Sequence, residues 1–457
     1  MTETARGQLR LAAELTADYL ETRRDDPVAS PVDRAALAAR IGAFDFARPL
    51  SLPAAAQALL ELLRETGVHS DHPRYFGLFN PQALPAAIVG DLIAATVNPQ
   101  LAVWGHAPAA AEIERHIIGL FGRLIWGWEP AGTFTSGGSE ANHTALLAAL
   151  ARRCPQWADR GVAAFDRPPR LYASAQSHLA WIKLARASGL GADAVRLVPT
   201  RDGLALDGDS LAAAIAADRD STPVMVIATA GTTAHGAIDD LVGIAAVGRQ
   251  CGAHVHVDAA WAGGILLDPA KKALLDGIAF ADSVTIDPHK WLSVPMGAGL
   301  YLARDWKPLE TAFAVTTSYM PSASHVTRDP YIHSLQWSRR FIGAKLFMAL
   351  ATLGLDGYAR MITRQFALGD RLRAGLADRG FKLLNDTLLP VVCFAPDGAD
   401  NAEVTAIADS VVASGQAWLS VVQLNNRLCL RACITGFETD EADIDALIDS
   451  IDRARNG

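Results

Sequence analysis

Short apolar runs separated by longer amphipathic stretches organise the middle of this chain. The runs lie at residues 171–174, 195–198, 224–229, 254–258, 283–286 and 299–302. Each is short and rich in aliphatic or β-branched residues, so each reads as a strand. The stretches between them are amphipathic at helical spacing. Strands alternating with helices imply a mainly parallel sheet with helices on both faces, an α/β architecture. Ahead of this region the pattern is helical. Leu9, Leu11, Leu15, Tyr19 and Leu20 recur at helical spacing, and Pro27, Pro31, Pro49 and Pro53 mark breaks. Behind it the pattern becomes α+β, with strands expected at 391–394 and 428–433 and an acidic-capped last helix from Thr439. The expected divisions are a helical segment at 1–84, a large domain at 85–345 and a small α+β domain at 346–457. Internal repeats are absent, and low-complexity sequence is confined to alanine-rich helices.

Composition narrows the class. The chain has 457 residues, half of them hydrophobic and a fifth charged, which suits about two or three packed domains. The net charge of −8 is spread along the chain, which argues against nucleic acid or an anionic membrane as partner. No uncharged apolar run reaches the roughly 18 residues of a membrane span. Acidic residues come early at the N-terminus, so a secretory signal is not expected. The five cysteines, at 154, 251, 393, 429 and 433, form no CxxC pair. They read as free thiols in a reducing cytoplasm, with a metal site at Cys433 as the alternative.

Candidate chemistry collects where the runs end, which is where ligands gather in such sheets. Lys290 follows a β-branched run within Ser-Val-Thr-Ile-Asp-Pro-His-Lys-Trp, residues 283–291. A desolvated lysine there can form a Schiff base with an aldehyde, and pyridoxal 5′-phosphate (PLP) is the obvious one. A surface lysine at a strand end is the alternative. Thr-Ser-Gly-Gly-Ser-Glu-Ala-Asn (135–142) precedes a helical run at 144–153. Its glycines let backbone amides approach an anion, and Ser139 can serve as helix N-cap and phosphate ligand together. A plain helix start is the alternative, and the missing Walker lysine excludes a nucleotide P-loop. Asp258 ends the run His254-Val-His-Val-Asp and can pair with a protonated pyridine nitrogen, or act as a loop or capping acid. His254 and His256 face one side of their strand. With no third ligand evident they read as packed core histidines rather than a metal pair. His178 can stack on a ring, or be structural.

Taken in order, these motifs resemble the group II PLP-dependent amino acid decarboxylases, the aromatic-L-amino-acid, histidine, glutamate and diaminobutyrate enzymes. The likeness includes Ala-Thr-Ala-Gly-Thr-Thr (228–233), His72-Pro-Arg-Tyr-Phe, Trp104, Pro108 with Glu112, Ser338-Arg-Arg-Phe341 and Leu430-Arg-Ala-Cys-Ile434, and so spans nearly the whole chain. It implies the aspartate-aminotransferase-like fold (fold type I), PLP as cofactor, and a homodimer in which residues 1–84 pack across the partner. Lys290 then matches the Schiff-base lysine, Asp258 the pyridinium partner, Ala260 the small residue against the ring and His178 the stacking histidine. Gly138, Ser139 and His289 match the phosphate side, and Thr229 a cofactor-site threonine. Tyr319, in a Thr-, Ser- and Pro-rich segment suited to closing over a site, matches the tyrosine that protonates the product carbon. Without the likeness it would read as a buried loop tyrosine. Phe79, Trp104, Ser338 and Arg431 are the positions expected to meet the substrate.

Some positions depart from the commoner pattern. Asp287 stands where many members have asparagine, Leu78 replaces a pocket aromatic and Ser338 replaces a glycine. The activity implied is conversion of an L-amino acid, aromatic by preference, to an amine and CO2. A glutamate-, diaminobutyrate- or histidine-type decarboxylase, an aldehyde synthase, a transaminase and a catalytically silent binding homologue are the competing readings. The retained Lys290, Asp258, His178 and Tyr319 speak against the last three.

Overall fold

Strands mostly buried on both faces form the centre of the molecule, and this explains their largely apolar character. The structure is a computed structural model that describes residues 2–200, 204–315 and 327–456. The large sheet contains β1 (Ala131–Thr135), β2 (Pro169–Ser174), β3 (Val195–Val198), β4 (Thr222–Thr229), β5 (His254–Asp258), β6 (Ser283–Ile286) and β7 (Gly299–Ala303). Their spatial order is β1-β7-β6-β5-β4-β2-β3. β7 runs antiparallel to both neighbours and the remaining pairs are parallel. Because β7 reverses direction twice over, β1 points the same way as β6. The carboxyl ends of β1, β2, β4, β5 and β6 therefore open on one edge. Register aligns them further: Thr229 lies opposite Asp258, and Asp258 opposite Thr285.

The helices that matter to the site are α1 (Thr2–Thr22), α2 (Leu52–Glu65), α3 (Pro85–Val97), α4 (Pro108–Trp126), α5 (Gly138–Arg153) and α6 (Gly343–Asp378). α5 lies close on the sheet because its inward face is mostly alanine. Ala141, Ala145, Ala148 and Ala149 are fully buried with Leu146 and Leu150. α6 kinks at Gly354, whose φ of 67° suits glycine. α3 crosses α6 so closely that a Cβ at Gly90 would lie 2.6 Å from the Ala344 carbonyl.

The small sheet is antiparallel, in the order β8 (Phe381–Leu383), β9 (Val391–Pro396), β11 (Arg427–Cys433), β10 (Ser420–Leu424). It has its own core, where Phe394 and Leu430 meet Leu372, Leu376 and Ile448. The acidic-capped last helix spans Glu441–Asn456. Three of the sequence-expected strands appear with the same limits, at 195–198, 254–258 and 283–286. β1, β8 and β10 were not evident from the sequence. β1 is Ala-Gly-Thr-Phe-Thr, without an aliphatic run, and β8 and β10 are edge strands with partly exposed residues.

The N-terminal segment is helix-rich but also adds a strand pair, Ala29–Ser30 with Gly67–Val68. It is bound to the small domain of its own chain. Phe76 N–H donates to Trp418 O (2.7 Å) and Cys433 N–H to Phe76 O (2.8 Å). Arg23 pairs with Glu438 at 2.6 Å, and Thr439 Oγ1 donates to Pro73 O. Leu9, Leu59 and Leu63 remain exposed on α1 and α2. At Gly77 the fit tightens to backbone against indole. A Cβ there would lie 1.8 Å from the Trp418 ring, and the Gly77 carbonyl accepts from Arg431 Nη2 and Ser420 Oγ. Gly77→Ala is expected to destabilise the protein by about 1–3 kcal/mol through overpacking, read as a lower urea midpoint. Gly42→Ala, with nothing within 4 Å of the new atom, is the neutral control. Equal midpoints for wild type and Gly77→Ala would contradict this docking.

Candidate active site

The polar residues at the carboxyl edge converge on one cavity of about 310 Å3. Its lining includes Gly138, Ser139, Asn142, His178, Thr229, Trp261, Asp258, Asp287, His289 and Lys290. They arrive from five strand ends or the turns and helix that follow them, those of β1, β2, β4, β5 and β6, so the register described above sets their spacing.

Asp258 closes β5 and is buried. Its Oδ2 accepts from Asn142 Nδ2 at 2.8 Å and its Oδ1 from the Ala260 amide at 3.1 Å. Asn142 is held in turn: its Oδ1 lies 3.1 Å from His256 Nε2, while His256 Nδ1 lies 2.8 Å from Ser283 Oγ. Burial drives the His256 imidazole well below its usual pKa, and lowers His254 to about 4. Both rings are thus neutral hydrogen-bonding groups behind the site. His254 shares the Ser283 hydroxyl at 2.7 Å.

The start of α5 supplies amides. Gly137 is its N-cap residue and Ser139 sits inside the first turn, so Ser139 is not the cap that the sequence suggested. The helix also begins at Gly138, six residues before the apolar run. Glu140 takes over the local satisfaction, accepting from Ser136 N–H (2.8 Å) and Ser136 Oγ (2.6 Å) while Gln336 donates to both its oxygens. Gly138 and Asn142 are four residues apart and share a face of α5. A Cβ at Gly138 would lie 2.6 Å from Asp287 Oδ2.

On the facing wall, Lys290 Nζ is 3.0 Å from Asp287 Oδ2. The His289 ring is fixed against the Ala298 backbone, with Nδ1 2.7 Å from Ala298 O, and burial lowers its pKa. Thr229 gives its N–H to Asp239 Oδ2 (2.7 Å), an acid that burial pushes up to about 7. The Thr229 hydroxyl is buried and has no partner among the described residues. His178 is exposed at the mouth, with Nδ1 accepting from the Ala180 amide. Ala260 lines the cavity beside Asp258.

The four residues expected at the substrate fall elsewhere or are already engaged. Phe79 stands behind the lining, stacked on Trp261 at 4.2 Å and 14°. Arg431 donates to the carbonyls of Gly77 and Thr233 and to Ser420 Oγ, which occupies its guanidinium. Trp104 lines a different cavity, of about 500 Å3, and its indole donates to Glu112. Ser338 accepts from Gln100. Within one chain, Trp104 and Ser338 are not brought to the Lys290 cavity. Tyr319 lies outside the described residues. Asn142 and Asp287 were not singled out by the sequence as site groups, although each closes or opens a flagged motif.

The cavity suits PLP on its own chemistry. It joins an amide-lined helix start for a phosphate, a buried carboxylate for a pyridine nitrogen, an orphan hydroxyl and a lysine amine. Ser139, Gly138 and His289 could hold the phosphate end, Asp258 the ring nitrogen and Lys290 the aldehyde carbon, all five lining the same cavity.

Comparison with known proteins agrees. Residues 49–396 match the pyridoxal-dependent decarboxylase conserved domain. Cysteine sulfinic acid decarboxylase of Mus musculus is 33% identical over 335 residues, 72% of this chain and 68% of that protein. Tryptophan decarboxylase 1 of Oryza sativa subsp. japonica is 27% identical, covering 94% of this chain and 90% of the relative. The crystal structure of mouse CSAD superposes with a TM-score of 0.92 at 26% identity, covering 98% of each chain. These neighbours share the fold type I architecture, so the fold expected from the sequence is the one observed.

Gly138→Ala is expected to weaken PLP binding about tenfold to a hundredfold, because the methyl group meets Asp287 and displaces the helix start. Titration of the cofactor-free protein by fluorescence reads this, with circular dichroism to verify the fold. Unchanged affinity would contradict the phosphate-side placement.

Proposed function

The chain belongs to the pyridoxal-dependent decarboxylase family, and from that premise we propose that it converts an L-amino acid with an uncharged, aromatic side chain to its amine and CO2. The observation that carries this reading is the meeting of Lys290, Asp258 and the amide-lined start of α5 in one cavity. PLP, the family's cofactor, supplies when bound an aldehyde that takes up the substrate's amine and a ring that accepts the electron pair left by the departing carboxylate.

The chain's own groups have separable roles in this proposal. Lys290 anchors the cofactor and is released by the incoming amine. Asp258, held by the Asn142 and Ala260 donors, would face the ring nitrogen, favour its protonated form and so stabilise negative charge spreading into the ring. His178 orients the ring and the substrate carboxylate. Tyr319 delivers the proton to Cα once CO2 has left. Residues 1–84, with exposed apolar faces on α1 and α2, take part in a homodimer, to which Trp104 and Ser338 contribute. The protein acts in the cytoplasm, which fits its free cysteines.

Side-chain preference rests on charge. Among the described lining residues the one cation is Lys290, and nearby Arg431 is committed to backbone carbonyls. A second acidic group on the substrate would find no free cation there. The lining acids are also engaged: Asp258 with Asn142, Glu140 with Ser136 and Gln336, Asp287 with Lys290. Trp261, backed by Phe79, offers an aromatic wall instead.

A product screen with aromatic amino acids, DOPA, 5-hydroxytryptophan, glutamate, cysteine sulfinate and 2,4-diaminobutyrate tests the reading. Amine and CO2 are expected in equal amounts, from aromatic substrates first, with little oxygen uptake. Tyr319→Phe is expected to slow amine formation and divert product toward aldehyde, ammonia and peroxide with oxygen consumption. Oxygen uptake in step with CO2 release by the wild type would overturn the decarboxylase reading. Amine formation by Tyr319→Phe at the wild-type rate would overturn the tyrosine's role alone.

A further inference from the structure

Asp287 occupies a place in the cavity that the roles above leave unexplained. It follows β6 directly, and a tight turn fixes it. Its N–H donates to Ala260 O at 2.7 Å, and its carbonyl accepts from the Lys290 N–H at 2.9 Å. The turn folds the Lys290 side chain back so that Nζ lies 3.0 Å from Asp287 Oδ2, with the acid 2% exposed and the lysine 23%. The carboxylate rests against the backbone of Gly138, and its other oxygen, Oδ1, has no partner among the described residues.

The remaining charged and titratable groups around this pair are otherwise engaged. His289 Nε2 is 3.8 Å from Asp287, but burial favours its uncharged ring. Asp258 is held by Asn142 and Ala260, and Glu140 by Ser136 and Gln336. Lys345 Nζ donates to Met296 O at 2.6 Å and lies 3.6 Å from Asp91. Of the cavity's acids, Asp287 is the one that faces the lysine amine.

We infer that Asp287 is a positioning residue for Lys290: it holds the lysine nitrogen as an ammonium whenever that nitrogen is not joined to the cofactor. The inference rests on the reading of Lys290 as the attachment point. In the exchange, the substrate enters as an ammonium. Its nitrogen forms the new C=N bond at the aldehyde carbon, the C=N bond to Nζ breaks, and the three protons finish on Nζ. One ammonium is consumed and one formed, so no further proton donor is needed. A carboxylate 3.0 Å away favours the ammonium that forms, whereas an asparagine at this position would offer no charge. The same pairing opposes the first attachment, because an ammonium has no lone pair to attack with. Asp287 thus stabilises the displaced lysine at the expense of attachment in the cofactor-free protein.

The test follows attachment of PLP to cofactor-free protein by absorbance across pH, for wild type and Asp287→Asn. The variant's profile is expected to move to lower pH by about one to three units, the usual effect of an opposite charge at this range. Attachment at neutral pH then becomes at least about tenfold faster. Pyridoxal, which lacks the phosphate, should show the same shift, which separates pairing with Lys290 from repulsion of the phosphate. Should Asp287→Asn fail to fold, Asp287→Ser is read in the same way. An unmoved profile, a shift to higher pH, or a shift seen with PLP but not with pyridoxal would overturn the inference. Amine formation is assayed separately. No decarboxylation by the wild type with the shift intact would sink the enzyme reading alone, and normal wild-type decarboxylation with an unmoved profile would sink only the role of Asp287.

Discussion

A buried carboxylate must be compensated, and much of this structure is arranged around the one on Asp258. An ionised acid removed from water is costly unless donors replace its hydration. Two donors do so: the Asn142 amide from α5 and the Ala260 N–H from the turn after β5. Asn142 can reach only because alanines let α5 lie close on the sheet. Its amide is oriented because neutral His256 and Ser283 complete a buried chain of hydrogen bonds behind it. An element that moved α5 outward would leave the Oδ2 oxygen of Asp258 without its Asn142 donor.

The same geometry accounts for the rest of the cavity. Parallel register places Thr229 and Thr285 level with Asp258. The next turn then carries Asp287, His289 and Lys290 across from the start of α5. The two walls meet where Gly138 abuts Asp287, a contact too close for any side chain. The amides at the start of α5, the Asp258 carboxylate and the turn that carries Lys290 are therefore set by close backbone packing. That rigidity suits a site that must hold one cofactor through bond exchange at its aldehyde.

The large sheet was legible in the sequence because double-sided burial writes itself as short aliphatic runs. β1 was hidden because Ala-Gly-Thr-Phe-Thr lacks such a run. Lys290 and Asp258 were legible as residues at strand ends. The partnership of Asp258 with Asn142 was not, because 116 residues separate them. Ser139 looked like a helix cap, but Glu140 reaches back to Ser136 and the helix starts earlier. Trp104 and Ser338 were expected beside the substrate from family likeness, and one chain alone keeps them away from Lys290. The engagement of Arg431 by carbonyls of Gly77 and Thr233 depends on how residues 69–84 dock on the small sheet, which no local pattern reveals.

Among the described residues Lys290 is the lysine that lines the cavity, and the proposed function requires it to bond the cofactor's aldehyde. Borohydride reduction of the PLP-loaded protein, followed by proteolysis and mass spectrometry, tests this most directly. One stoichiometric pyridoxyl label is expected, on the peptide containing Lys290, with its loss in Lys290→Ala. A label on Lys183, Lys271, Lys272 or any other lysine, with Lys290 unmodified, would contradict it.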